Sequence, residues 1–309
     1  MSKPSRIVIT GASGWVGRSF IKSLIDIYGL DIMKEVELYG SSARKLKLTT
    51  GVNLFISDLQ DISKNGEIDL YVPLAFQTQD KLNDMTKFEY IKKNTELINL
   101  HAKVIKGHSI KRAVFFSSGI VSLTPSDVER PESYWIYKQL KALEEKVFFE
   151  EFSKQFTKVA ACRLFSVSGS EMQDPKKYAL GDFLVRGLSN KGIILNSQRQ
   201  IHRRYVDIEN VCEALIRETC DGSSTLIEST GTRVTLLELA RQVCQIFELD
   251  SGVLDRIDDS HSESDHYYST SIGMEKLFAK HSIYPLNLDQ QIRKTAAGLI
   301  ESGFINNGR

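Results

Sequence analysis

The chain has 309 residues, 41% hydrophobic and 26% charged, and its 40 basic and 39 acidic side chains leave a formal charge of +1. That length buries a sizeable core in one large domain or two joined ones, and the composition is that of a soluble globular protein. The charge balance argues against electrostatic capture of nucleic acid or an anionic membrane, and no apolar run approaches the roughly 20 residues that span a bilayer.

The first six residues, "MSKPSR", run straight into the strand-like "IVIT", so no leader is expected ahead of the fold. After "GASGWVG", Phe20, Ile21, Leu24, Ile25 and Tyr28 recur at helical spacing. Strand-like "EVELYGSS", "NLFISD" and "IDLYVPLAF" follow, then a helical stretch over about 88–105. "RAVFFSSG" reads as a fifth strand, "YWIYKQLKALEEKVFFEEF" as a helix and "KVAACRLFSV" as a sixth strand. Near-continuously apolar strands alternating with helices predict a parallel sheet covered on both faces. The expectation is an α/β fold whose doubly wound domain covers 1–165.

From Ser166 the texture changes, and 166–309 reads as a smaller α/β region with segments near 205–228 returning to the sheet. It holds one helix before the strand-like "GIILN", then a strand turning into a helix in "RRYVDIENVCEALIRET", then "TLIEST". "TLLELARQVCQIF" is a further helix, with Thr235 placed to cap it and Glu238 three residues on. The polar stretch 258–271 reads as a loop whose histidines are solvated, and no metal site is expected. Four cysteines (Cys162, Cys212, Cys220 and Cys244) lack CxxC spacing; they read as free thiols, the first and second buried, in a reducing cytoplasm.

Three stretches carry chemistry. Gly11, Gly14 and Gly17 stand between a strand and a helix, where absent Cβ atoms let backbone approach a pyrophosphate and a helix N-terminus offers N–H donors. The spacing is GxxGxxG rather than GxGxxG, and a bare glycine turn is the alternative. In "YWIYK", Tyr134 and Lys138 stand one helical turn apart, so an ammonium can stabilise a phenolate and ease proton transfer. Tyr137, adjacent to that lysine, is expected on a different face. In "FFSSGIV", at the end of the fifth strand, Ser118 can hold a substrate oxygen and Ser117 can face cofactor or sheet; a serine satisfied by backbone is the plainer reading.

In this order "TGASGWVG", "FFSSGIV" and "YWIYK" resemble the extended, or atypical, branch of the short-chain dehydrogenase/reductase family, and the resemblance continues over about two thirds of the chain. It implies a Rossmann-type doubly wound parallel sheet with a smaller C-terminal α/β substrate-binding region. It implies cofactor contacts at Gly11, Ser13, Gly14, Trp15, Val16 and Gly17, and at Asp58 and Leu59 of "SDL" near adenine. Leu74, Ala75 and Phe76 of "PLAF" would lie beside ribose and nicotinamide, with Asn94 at the asparagine of VNxxGT and Ser117, Tyr134, Lys138 and Phe165 completing the set. The implied catalytic trio is Ser118, Tyr134 and Lys138; Ser118, Gly119, Ser166 and Arg203 would touch substrate, Arg203 by its match to RDFVxVxD. Departures are Pro73 for histidine, Ser122 for the tyrosine of VYG, Ser166 for asparagine, Arg204 for aspartate and Asn210 for the aspartate of VxD. The late arginine that often grips a sugar-nucleotide diphosphate is not evident in "HYYSTSIGMEKL".

The second strand ends "LYGSSARK" without a carboxylate at its tip, while Glu35 and Glu37 lie before or within it. Ser41, Ser42 and Arg44 suit a 2′-phosphate, which favours NADP(H) over NAD(H). The leading expectation is therefore an NADPH-dependent ketoreductase acting on a nucleotide-linked keto sugar. The alternatives are an NAD-retaining nucleotide-sugar epimerase or dehydratase, and a redox-silent dinucleotide-binding sensor or scaffold. Gly119 and Ile120 follow Ser118 where a dehydratase carries an acid. The resemblance also implies a homodimer through helices near 88–105 and 135–152, the aromatics of "VFFEEF" packing either across it or on the sheet.

Overall fold

Ile7, Val8 and Ile9 are wholly buried, and the strand they form, β1 (Ile7–Thr10), lies at the centre of an eight-stranded sheet. The computed structural model describes residues 3–63, 65–123, 130–195, 197, 199–221, 224–249, 253–255 and 264–305. In chain order β1 is followed by α1 (Trp15–Tyr28), β2 (Val36–Gly40), β3 (Arg44–Lys47), β4 (Asn53–Asp58), β5 (Gly66–Val72) and α2 (Lys87–Gly107). Next come β6 (His108–Ser118), α3 (Glu132–Ser153), β7 (Lys158–Leu164), β8 (Ser166–Ser168), α4 (Ala179–Leu188), β9 (Ile193–Leu195) and β10 (Ile201–Asp207). The remainder is α5 (Ile208–Asp221), β11 (Thr225–Glu228), β12 (Thr232–Thr235), α6 (Leu236–Ile246), β13 (Val253–Asp255), β14 (Asp265–Tyr267), α7 (Gly273–Lys280) and α8 (Leu288–Glu301).

The large sheet runs β11-β7-β6-β5-β1-β2-β4-β3 and is parallel except for β3, an antiparallel hairpin partner of β4. The chain winds outward from β1 in both directions, so the switch point falls between β1 and β5, where ligands of open α/β sheets bind. The expected strands and helices of the first half form here. Strand β3 was not foreseen, because "RKLK" carries only one buried side chain, Leu46.

Contacts divide the chain into two units. The first joins Met1–Lys47, Asn53–Leu164 and Cys212–Glu228; the second joins Leu48–Val52, Phe165–Val211 and Ser229–Arg309. The expected boundary at 165 and the return near 205–228 thus become a break after Leu164 and a return of Cys212–Glu228, with the β3–β4 turn counted in the second unit. In that unit β10 pairs antiparallel with β12, and parallel with β14 at 201–203 and with β8 at 205–207. Thr235 caps α6 by accepting from the Glu238 amide, and Glu238 answers the Thr235 amide. The expected loop over 258–271 is corrected at 265–267, which form β14; His261 and the rest of 258–263 lie outside the described residues.

In the first unit α3 packs on β6. Phe148 and Phe152 are fully buried, and Phe148 meets Phe115 edge-on at 5.6 Å, so the aromatics of "VFFEEF" pack on the sheet. The sequence places this run in an amphipathic helix, and the buried aromatic ladder fixes how that helix is rotated. Phe148→Ala is expected to cost about 3–5 kcal/mol, read as a lower midpoint in chemical denaturation with an unchanged slope.

Candidate active site

The turn after β1 is built on close backbone approach. Gly11 has φ +63°, and a Cβ there would stand 2.6 Å from the Leu74 carbonyl carbon. A Cβ on Gly17 would stand 2.6 Å from the Gly11 oxygen, so α1 sits directly against the turn. Gly14, the N-cap of α1, makes no side-chain cap, and the helix begins without a carboxylate in its first turn. Such an end offers first-turn N–H groups and a positive dipole to an anion, so the residues present fit a dinucleotide pyrophosphate. Val16 and the buried Trp15 follow in that first turn. Thr10 Oγ1 accepts from the amides of Leu74 (3.0 Å) and Ala75 (3.2 Å), joining the ends of β1 and β5.

The tip of β2 is basic. The Arg44 guanidinium donates to the hydroxyls of Ser13 and, more weakly, Ser42 (3.3 Å) and Ser41 (3.5 Å). Glu37 is engaged elsewhere: Arg6 grips it at 2.7 and 3.2 Å and Tyr39 donates at 2.9 Å, which holds its carboxyl below the usual range. Asp58 ends β4 and caps the short turn that begins at Leu59 by accepting from the Gln60 amide at 2.9 Å.

The loop 73–77 is held from α2. Asn94, wholly buried, accepts from the Gln77 amide at 2.8 Å and donates to the Gln77 carbonyl at 3.2 Å. Its hydrogen bonds therefore set the loop's backbone. Buried His101 meets the Tyr71 hydroxyl at 2.7 Å and the Ala75 carbonyl at 3.4 Å, and burial lowers its pKa to about 4.

At the end of β6, Ser118 caps the short turn Gly119–Val121, while the hydroxyl of buried Ser117 has no hydrogen-bond partner among the described residues. Ser118 shares a hydrogen bond with Tyr137, contrary to the expectation that Tyr137 lies on a different face. Tyr134, the expected partner, packs its ring 5.1 Å from Trp135 and 5.5 Å from the Arg130 guanidinium. Lys138 donates to the Leu123 carbonyl and stands 5.7 Å from the Trp135 ring. Residues 134, 137, 141 and 144 all lie within a few tens of degrees of the inner stripe set by Phe148, so position along the helix axis, not rotation, separates Tyr137 from Tyr134. Lys141, four residues after Tyr137, is buried and donates to the Phe116 carbonyl (3.2 Å) and to Glu144, with the Phe76 ring 4.4 Å away. Phe76 also meets the Tyr137 ring at 6.0 Å. "YWIYKQLK" thus holds two overlapping Tyr-x-x-x-Lys pairs, and the second was missed. Burial, with the charges of Glu144 and Asp80, pushes the Tyr137 phenol up to about 12, against a lowering by Ser118.

In the second unit, Arg203 lies 3.5 Å from Asp265 and 5.3 Å from the Tyr267 ring. Phe165 is buried against that ring at 5.2 Å, its amide donating to Ser229, and Ser166 opens β8. A cavity of about 150 Å³ has apolar walls at Ala179, Phe183, Ile194 and Leu236, with Arg199 and Gln200 among its polar lining. Among the described residues no helix is long and apolar enough to cross a membrane.

Known proteins can be set beside this geometry. No curated protein matches the sequence. Solved structures share the fold. A UDP-N-acetylglucosamine 4-epimerase from Methanobrevibacter ruminantium M1, in complex with UDP-N-acetylmuramic acid, is 19% identical with TM-score 0.73, over 97% of this chain and 100% of that one. A UDP-glucose 4-epimerase from Thermotoga maritima, with UDP-glucose, is 16% identical with TM-score 0.70, over 96% and 99%. A UDP-glucuronic acid 4-epimerase from Bacillus cereus, with UDP-glucuronic acid and NAD, is 14% identical with TM-score 0.70, over 96% and 99%. Residues 7–219, more than half of the chain, match the pattern of one family. With the Rossmann-type sheet, the glycine turn and the hydroxyl pair at the end of β6, that match identifies the chain as a member of the NAD dependent epimerase/dehydratase family, an enzyme of the nicotinamide-dependent class.

Proposed function

We propose that this chain reduces a nucleotide-linked keto sugar with NADPH, using Ser118, Tyr137 and Lys141 around the reacting oxygen. The observation that carries this reading is the hydrogen bond between Ser118 and Tyr137 at the carboxyl end of β6, with Lys141 one turn further along α3. A dinucleotide whose pyrophosphate is held at the glycine turn would supply the hydride for the carbonyl carbon. Ser118 donates a hydrogen bond to the carbonyl oxygen, and Tyr137 gives it a proton as negative charge develops. The Lys141 ammonium stabilises the phenolate that remains until solvent reprotonates it. Arg203 of the second unit is proposed to meet a substrate phosphate.

Arg44 with Ser13, Ser41 and Ser42 supports NADP(H), because these donors suit a 2′-phosphate and Glu37 is already bound by Arg6. A cofactor of that type is exchanged each turnover, which favours net reduction. A second reading, an epimerase that retains NAD, is favoured by the family match and by neighbours whose structures hold NAD. A dehydratase is less supported, since Gly119 and Ile120 follow Ser118. The presence of both Tyr137 and Lys141 weighs against a redox-silent sensor. A homodimer through α2 and α3 is supported by exposed Phe88, Ile91 and Leu143. Four free cysteines support a cytoplasmic location.

Tyr137→Phe is expected to bind NADPH normally while turnover drops on the order of 10²–10⁴-fold; Tyr134→Phe stays within a few-fold, and steady-state kinetics with fluorescence binding separates the two. Arg44→Ala is expected to weaken NADPH binding by about 10- to 100-fold, the loss of a charge-assisted hydrogen bond or two, with little change for NADH in the same titration. Denatured, freshly purified protein should release little nicotinamide; stoichiometric NAD in the supernatant would establish the epimerase reading instead.

A further inference from the structure

The second unit carries a charged face that the proposed reaction does not use. In β10, alternate side chains point to opposite faces of its sheet. Arg203 takes one face with Asp265 and Tyr267, and His202 and Arg204 take the other. Strands β12 and β14 add to that second face: Arg233 stands directly opposite Arg204, and His266 directly beside His202. The two imidazoles stack, with centroids 4.8 Å apart and 20° between their planes. Both guanidiniums lie over the ring of Tyr268, Arg204 at 5.4 Å and Arg233 at 5.6 Å.

Like charges directly opposite on neighbouring strands destabilise a sheet unless something of opposite sign joins them. Among the described residues neither guanidinium has a carboxylate partner. Arg204 Nε is buried and makes no hydrogen bond among those residues, and Arg233 makes one long contact, 3.5 Å to His202 Nδ1. His202 Nε2 faces Gln200 Oε1 at 3.0 Å, and burial, with the charges of His266 and Arg233, lowers its pKa. Glu238 of α6 feels these cations, yet it is engaged in the helix cap, accepting from the Thr235 amide at 2.7 Å and hydroxyl at 2.9 Å. An acceptor between the two forks would satisfy the buried donor and relieve the repulsion at once. We propose that this face of the β12-β10-β14 sheet binds the phosphate of a phosphomonoester, held between Arg204 and Arg233 beside the stacked imidazoles. A guanidinium fork meets two phosphate oxygens together. A phosphomonoester carries about −1.5 to −2 at pH 7, which matches two guanidiniums, whereas a carboxylate brings a single charge. The position lies across β10 from Arg203, so it is separate from the substrate phosphate proposed there.

The experiment is an NMR titration of the full cofactor-free chain with inorganic phosphate at constant pH and ionic strength. It is read on the imidazole resonances of His202 and His266, which His202→Gln and His266→Gln assign. Both resonances are expected to move saturably. Arg204→Gln and Arg233→Gln are each expected to weaken the apparent affinity by about 10- to 100-fold, the loss of a charge-assisted pair. Arg203→Gln, on the opposite face, should titrate as the unaltered chain does, and acetate should bind at least about 10-fold more weakly than phosphate. No saturable shift, an equal response to acetate, or unchanged affinity in both Arg204→Gln and Arg233→Gln overturns the inference. Binding lost in Arg203→Gln but kept in Arg204→Gln puts the phosphate on the substrate face and overturns it too. Should Arg204→Gln fail to fold, Arg233→Gln, whose side chain is exposed, decides alone.

Discussion

The seating of α3 on β6 decides the rest of the first unit's chemistry. Phe148 meets Phe115 edge-on at 5.6 Å and His101 at 5.6 Å, and this buried aromatic contact fixes the rotation of a helix 22 residues long. From that rotation Tyr137, Lys141 and Glu144 all face inward, and Ser118 at the end of the same strand meets Tyr137. A turn of α3 by one residue, about 100°, would bring other side chains to the strand end. The hydrophobic ladder therefore sets a polar geometry without taking part in it.

The second constraint is the closeness of two strand ends. Gly11 admits no Cβ beside the Leu74 carbonyl, and Thr10 bonds both amides of that loop. Asn94, Tyr90 and His101 then hold the same loop from α2. The result is a loop at the switch point of the sheet whose backbone is held from β1 and from α2. Phe76 leaves this loop to lie against Lys141 and Tyr137, tying the loop after β5 to α3 through one ring.

Much of this was legible in the residues themselves. Alternating apolar runs predicted the parallel sheet and its helices, and the glycine turn between β1 and α1 was read from its spacing. The hairpin strand β3 was invisible because only Leu46 of its four residues is buried, and β14 because a polar run such as "SDHYY" has no alternation. That Tyr137 rather than Tyr134 bonds Ser118 was not legible, since the Tyr134–Lys138 and Tyr137–Lys141 pairs have the same spacing and sit three residues apart.

Short-range physics is written in the residues: which segments are strands or helices, where a backbone must lack Cβ atoms, and which family pattern the chain carries. Which tyrosine meets Ser118, that Glu37 is consumed by Arg6, and that Lys141 has a carboxylate partner emerge only from packing. The reason is that periodicity specifies a helix's apolar face only to within a residue or two. Contacts between residues 33 apart in sequence, Phe115 and Phe148, resolve what remains.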